Sequence, residues 1–325
     1  MKADLLDIRR PIEAELQQYV ALFDEVLTHK ETFMNQALTY VRSRKGKMMR
    51  PILVLLFARE LGEVREATLH SAVTLELLHT SSLIHDDVVD ESDERRGQAS
   101  VHKVYDNKIA VLLGDYMLAN TLHQAALTRK IDIVEHVSLL GANLSEGEIF
   151  QLANVESDFI SEHAYYSIIK RKTAALFAAC GALSALSMDA DAEYYEKAKK
   201  FGEIVGLCFQ IRDDIFDYYD DPQIGKPRAG DMKEGKLTLP VIYAVNSTGD
   251  AEARALAMKV KAHEATAEDI AALIDFTKAH GGIEYAEAQM DRFREEARAL
   301  IADFRNEEVR RSLEDYIDFV IGREY

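Results

Sequence analysis

A chain of 325 residues, 48% of them apolar, can bury a sizeable core and is long enough for one large domain or two ordinary ones. Its formal net charge of −17 argues against non-specific binding to nucleic acid or an anionic membrane, so an anionic ligand would need local basic pockets or a bridging metal. Cys180 and Cys208, the only cysteines, both lie in apolar stretches; they read as core residues of a reducing compartment, against a disulfide framework or a zinc site. Proline occurs only at Pro11, Pro51, Pro222, Pro227 and Pro240, so no helix breaker interrupts Ile52 to Asp221. That run is rich in Ala, Leu, Glu and Lys and lacks period-2 alternation, which predicts an all-α protein. No apolar run reaches about 18 residues, and Asp4, Asp7, Arg9 and Arg10 interrupt the N-terminal stretch, so neither a membrane span nor a signal peptide is predicted. The expectation is a soluble, cytoplasmic protein.

Periodicity and capping signals predict helices over 4–28, 31–44, 50–62, 66–91, 106–127, 131–153, 162–187, 191–220, 237–247, 250–262, 266–280, 283–304 and 306–321. No linker divides them, so a single all-helical domain over 1–325 is expected. Between the second and third helices stand Arg42, Arg44, Lys45, Lys47 and Arg50, with Gly46 among them and Pro51 closing the group. In so acidic a chain this reads as an anion site at a helix N-terminus, the alternative being a solvated basic loop.

The helix over 66–91 is apolar around its whole axis, as expected of one at the centre of a bundle. It ends in the pentad Asp86-Asp87-Val88-Val89-Asp90. Positions i and i+4 share a helix face, so Asp86 and Asp90 point one way and repel each other unless a cation intervenes. The pattern recurs as Asp213-Asp214-Ile215-Phe216-Asp217 at the end of the helix over 191–220. Paired carboxylates at the end of an apolar interior suit Mg²⁺, which is commonly held by one or two carboxylates together with substrate phosphates. The pentads therefore suggest a diphosphate ligand. His79 lies on nearly the same face as Asp86; a core histidine is the commoner reading, and no second His or Cys stands at zinc spacing.

A charged or glycine-containing segment follows each pentad, over 91–97 and 220–235. Arg95 and Arg96 lie in the first, Lys226 in the second and Lys236 just beyond it, while Lys172-Thr173 falls between the pentads. Together these cations match two polyanionic groups, one held through metal and one directly by Lys and Arg.

In combination, the segments resemble the all-trans polyprenyl diphosphate synthases. The likeness runs from about Lys45 to Pro240 and includes His85-Asp86-Asp87-Val88-Val89-Asp90, Arg95-Arg96-Gly97, Gly114-Asp115, Lys172-Thr173, Phe209-Gln210-Ile211-Arg212-Asp213-Asp214 and Gly235-Lys236-Leu237-Thr238-Leu239-Pro240. The resemblance implies a helical bundle of the isoprenoid synthase type around a deep central apolar cavity, a homodimer, and condensation of isopentenyl diphosphate onto an allylic diphosphate. It implies two or three Mg²⁺ ions per active site, with Asp86, Asp87, Asp90, Asp213, Asp214 and Asp217 as the metal-binding set. Arg95, Lys172, Thr173, Gln210, Lys226 and Lys236 would serve the allylic diphosphate, and Gly46, Lys47, Arg50, His79 and Arg96 the isopentenyl diphosphate. The basic motif departs from the family pattern at Lys45, where a glycine is usual, and at Met48, where an arginine is usual.

Product length in such an enzyme depends on the depth of the cavity below Asp86. The residues one turn earlier, Ser81 and Ser82, are small, which predicts a product above C20, such as a quinone side-chain precursor; alternatively they only permit close helix packing. A short-chain synthase, a class I terpene cyclase and a non-catalytic synthase partner are the competing readings. A cyclase has one diphosphate to hold and so does not need the direct basic site, and a non-catalytic partner is expected to have lost motif aspartates that are present here. Residues 250–325 carry no recognisable chemistry and are expected to pack around the core, with an interface role as the alternative.

Overall fold

Pro11 divides the first expected helix into α1 (Leu5–Ile8), a 3-10 turn (Arg10–Ile12) and α2 (Glu13–Val26). The computed structural model describes residues 4–43, 46–95, 97–155, 159–219 and 229–323. Next come α3 (Thr32–Ser43), α4 (Met49–Glu60) and α5 (Glu66–Val89), the last ending inside the first pentad. Pro51 lies in the first turn of α4, where its missing N–H costs nothing.

Beyond α5 the chain makes a small antiparallel hairpin, β1 (Glu94–Arg95) with β2 (Gln98–Ala99), that the sequence pattern did not predict. Gly97 turns it with φ +71°, and the Ser92 N–H donating to the Asp87 carbonyl at 3.0 Å ties it to α5. Then follow α6 (Val101–Tyr105), α7 (Asn107–Leu127), α8 (Ile131–Val155) and α9 (Glu162–Ile169).

The helix expected without interruption over 162–187 contains a π-helical turn at Lys170–Ala174 before α10 (Ala175–Met188). Such turns widen a helix locally and are frequent at functional positions. Lys172 and Thr173 both lie on it. The second pentad straddles the end of α11 (Ala192–Phe216), and α12 (Gly230–Lys233), α13 (Leu239–Thr248), α14 (Ala251–Lys261), α15 (Ala267–Ala279), α16 (Gly282–Ile301) and α17 (Glu307–Gly322) complete the chain.

The core runs along α4, α5, α10 and α11. Ile52 to Ala58 of α4 are buried without a break, and so are Leu176 to Ala185 of α10, as expected of helices with no solvent face. Close packing of α10 on α11 depends on glycine: a Cβ at Gly181 would lie 2.0 Å from the Ala198 carbonyl oxygen, and one at Gly202 2.2 Å from that of Phe177. With α5 laid on α7 and α10 on α11, the two pentad-bearing helices are fixed by the most extensive helix contacts in the molecule. No described helix is long and apolar enough to cross a membrane.

Candidate active site

The two pentads have the same internal asymmetry. Their second aspartates are buried, Asp87 at 1% exposure and Asp214 at 3%, whereas Asp86 and Asp213 are half-buried at the helix ends. Asp87 Oδ1 accepts from Arg95 Nε at 2.6 Å. Asp214 accepts from the Tyr165 hydroxyl at 2.6 Å and from Gln210 Nε2 at 2.8 Å. Of the six aspartates expected to bind metal, Asp87 and Asp214 are thus held by protein partners, as a buried carboxylate must be paired or hydrogen-bonded. Asp217 accepts from the backbone N–H groups of Gly230 and Asp231 and so anchors the start of α12.

Among the first and last aspartates, Asp90 is exposed and Asp213 pairs with Arg323 at 2.6 Å. Burial, then Glu148 and Asp90, push the Asp86 carboxyl up to about 6 against the pull of Lys172 and Arg95. Burial and then the neighbouring Asp231 push Asp214 upward as well. Acids crowded in this way are short of positive charge, and the donor set is all oxygen, so the residues fit hard divalent cations. No three described His, Cys, Asp or Glu residues converge tightly enough to hold an ion alone.

A recess of about 890 Å³, counting its mouth, carries Lys172, Thr173, Gln210, Asp214, Asp231 and Lys236, with Ile168, Ile169 and Ile242 among its apolar lining. Thr173 Oγ1 donates to Gln210 Oε1 at 2.8 Å, and Gln210 passes the chain on to Asp214. Lys172 pairs with Glu148 at 2.9 Å and Lys236 with Glu234 at 2.5 Å. Burial acts to lower Lys236, but Glu234, Asp231 and Asp90 outweigh it and raise the group. Asp90 of the first pentad and Asp231, whose N–H donates to Asp217 of the second, thus act on one lysine.

A second recess, of about 910 Å³, lies between α2, α3 and α5. Gly46, His79, Asp87 and Arg95 line it, so Arg95, expected beside the allylic group, stands on the side of His79. Lys47 lies 5.7 Å from the centre of the Phe319 ring, and the Arg50 guanidinium 4.7 Å from that of Phe177. Met48, where the family has arginine, takes a left-handed conformation at φ +52° and starts α4. Arg96, Lys226, Arg44 and Lys45 lie outside the described residues.

Ser81 and Ser82 diverge. Ser81 is buried and donates to the Gly114 carbonyl at 2.8 Å, so it faces α7; Ser82 is half-buried on the face of Asp86. Sequence reasoning missed Glu148, Tyr165, Asp231 and Arg323. Only Asp231 carried a signal, lying in the charged segment before Gly235-Lys236; the rest reach the site from remote helices.

This architecture, a helical bundle with two aspartate-tipped helices and flanking cationic recesses, is that of a prenyl-transferring enzyme. A family model described as polyprenyl synthetase matches residues 31–276, and the chain belongs to that family. The octaprenyl diphosphate synthase of Escherichia coli K12 is 35% identical over 223 residues, covering 68% of this chain and 69% of that protein. The crystal structure of a geranylgeranyl pyrophosphate synthase from Bacteroides thetaiotaomicron superposes with a TM-score of 0.86 at 46% identity over 98% of each chain. A polyprenyl synthase from Caulobacter crescentus CB15, crystallised with calcium and isoprenyl diphosphate, matches with a TM-score of 0.92 at 28% identity over 100% of this chain and 99% of that one.

Proposed function

We propose that the protein, acting as one helical unit per subunit, condenses isopentenyl diphosphate head-to-tail onto an allylic diphosphate to give an all-trans polyprenyl diphosphate above C20, a quinone side-chain precursor. The observation that carries this reading is the pair of recesses beside the pentads: one gathers Lys172, Thr173, Gln210, Asp214, Asp231 and Lys236, and the other gathers Gly46, His79, Asp87 and Arg95.

Ionisation of the allylic substrate leaves a growing negative charge on its departing diphosphate. Two or three Mg²⁺ ions, held by Asp86, Asp90 and Asp213, would offset that charge when bound. Lys172 and Lys236 donate to the same diphosphate, and Arg95, fixed by Asp87, adds its charge beside Asp86. Thr173 and Gln210, locked to each other, stand beside the reacting carbons. Gly46, Lys47, Arg50 and His79 hold the isopentenyl diphosphate so that its double bond meets the allylic cation, while the apolar walls keep water away. The released diphosphate takes the final proton.

The carboxylates Asp87 and Asp214 serve as supports for Arg95 and Gln210 in this scheme. Exposed Leu112 and Leu122 of α7 and Ile131 and Leu139 of α8 form an apolar face that suits a homodimer. A second reading, a product of C20, is favoured by the 46% identity to the Bacteroides geranylgeranyl pyrophosphate synthase.

The test is incubation of purified protein with Mg²⁺, farnesyl diphosphate and labelled isopentenyl diphosphate, followed by sizing of the product. Chains beyond C20 support the first reading and a product that stops at C20 the second. No elongation would remove both.

A further inference from the structure

Arg323, just after α17, reaches back to the second pentad. Its guanidinium lies 3.8 Å from the centre of the Phe209 ring, and Nη2 donates to Asp213 Oδ1 at 2.6 Å and to the Phe209 carbonyl at 2.7 Å. The side chain is 10% exposed, its Nε has no hydrogen-bond partner among the described residues, and its own carbonyl accepts from Arg212 Nε at 3.0 Å. The residue is therefore built into the site. Lys47, from the basic loop, senses the charges of both Arg323 and Asp213. Lys47 lies over Phe319 of α17, and Arg50 over Phe177, whose ring is 5.4 Å from that of Phe209, so the guanidinium bonded to the second pentad shares an aromatic neighbourhood with the loop assigned to the isopentenyl diphosphate.

A guanidinium so far out of water needs an anionic partner. A divalent cation arriving at Asp213 competes for that partner and repels Arg323. An anion beside Lys47 would supply a replacement and relieve the repulsion between the two basic groups.

We propose that Arg323 is an exchangeable counter-ion and positioning residue: it neutralises Asp213 in the metal-free enzyme and turns to the diphosphate beside Lys47 when metal takes Asp213. The two diphosphate sites are then linked through one side chain. By reciprocity, metal strengthens isopentenyl diphosphate binding by the factor by which isopentenyl diphosphate strengthens metal binding. The substrate that traps the cation is seated most firmly once the ionising side is loaded. This inference rests on the reading of Asp213 as a metal-binding residue.

The test is a titration with Mn²⁺, followed by electron paramagnetic resonance, of the wild type, Arg323→Gln and Phe209→Leu, with Asp213→Asn identifying the relevant class of sites. Without substrate, Arg323→Gln should bind Mn²⁺ roughly 5-fold or more tightly than the wild type, within the usual range of coupling between sites. Phe209→Leu, which removes the ring under the guanidinium and keeps both charges, should shift affinity the same way by less. Isopentenyl diphosphate, which does not react alone, should tighten Mn²⁺ binding in the wild type after correction for metal bound by free substrate, and should lose that effect in Arg323→Gln. Removing a static ion pair would also tighten metal binding, but it would leave the isopentenyl diphosphate effect in place. Unchanged or weaker Mn²⁺ affinity in both variants, in an enzyme whose wild type elongates farnesyl diphosphate, overturns the role of Arg323 alone. Failure of the wild type to elongate, with no Mn²⁺ sites lost in Asp213→Asn, overturns the functional reading and this inference with it.

Discussion

Arg95 Nε lies 2.6 Å from Asp87 Oδ1, joining a buried pentad carboxylate to a cation on the following hairpin. The carboxylate is 2% exposed and the guanidinium 32%. Removing the acid therefore leaves a partly solvated charge without its fixed partner, and the loss is smaller than for a fully buried pair. Asp87→Asn should cost about 1–3 kcal/mol in urea unfolding, below the cost of stranding a fully buried charge. It should also raise the KM of a diphosphate substrate while leaving Mn²⁺ affinity near the wild-type value. If Asp87→Asn weakens metal binding as much as Asp86→Asn does, Asp87 is a ligand and its supporting role is wrong.

Asp86 predicts a pH dependence of opposite sign to that of a salt-bridged acid. Burial, then Glu148 and Asp90, raise its carboxyl to about 6, so folding penalises the charged form. The penalty is full above about pH 6 and gone below the unfolded value near 4. From this group alone, the metal-free protein gains up to about 3 kcal/mol as pH falls through that window. Asp86→Asn should show the gain already at pH 7.5 in EDTA, lose it relative to the wild type at pH 4.5, and abolish prenyl transfer. Unfolding midpoints at the two pH values check this, and an Asp86→Asn protein less stable than the wild type at pH 7.5 contradicts it.

The helix phase of the two serines separates their effects on product length. Ser82 shares the face of Asp86, so a phenylalanine there projects below the pentad without meeting α7. Ser82→Phe should shorten the product by one or more isoprene units with little change in unfolding midpoint. Ser81→Phe must displace the Gly114 backbone to which Ser81 is hydrogen-bonded, so any shortening should come with a loss of about 1–3 kcal/mol, as for an overpacked core. Chromatographic sizing beside thermal melts distinguishes the two, and an unchanged product in Ser82→Phe would exclude that residue from the cavity wall.

The spacing of the aspartates disclosed two metal-suited helix ends and the apolar runs placed those helices at the centre, because both follow from periodicity within one element. The absolute phase of each helix did not follow. Asp86 and Asp87 are equivalent in the pattern, and only the packing of α5 on its neighbours turns one to the mouth and the other to Arg95. The π-helical turn under Lys172 was equally hidden, since its residues are ordinary helix formers. Tyr165 and Glu148 are single side chains delivered from α9 and α8, with no local motif. Arg323 was hidden in residues 250–325 because a lone arginine after an amphipathic helix gains its meaning from Asp213, which is remote in sequence.

The outer face formed by α7 and α8 is apolar. Leu112 is 63% exposed, Leu122 47%, Ile131 76% and Leu139 60%, whereas the opposite sides of both helices are buried against the core. Isolated exposed leucines are ordinary, but a set shared by two adjacent helices is better explained by a partner surface. In a two-fold dimer each such residue meets the same patch on the other copy, so one charge introduced per chain appears twice in the interface. Leu112→Glu should therefore convert a dimer to monomer, with sedimentation or light scattering as the readout, and lower the melting temperature in a concentration-dependent way. The substitution lies on the solvent side of α7, so helicity should be retained. A wild type that is monomeric at micromolar concentration, or a Leu112→Glu protein that stays dimeric, would exclude this face as the interface.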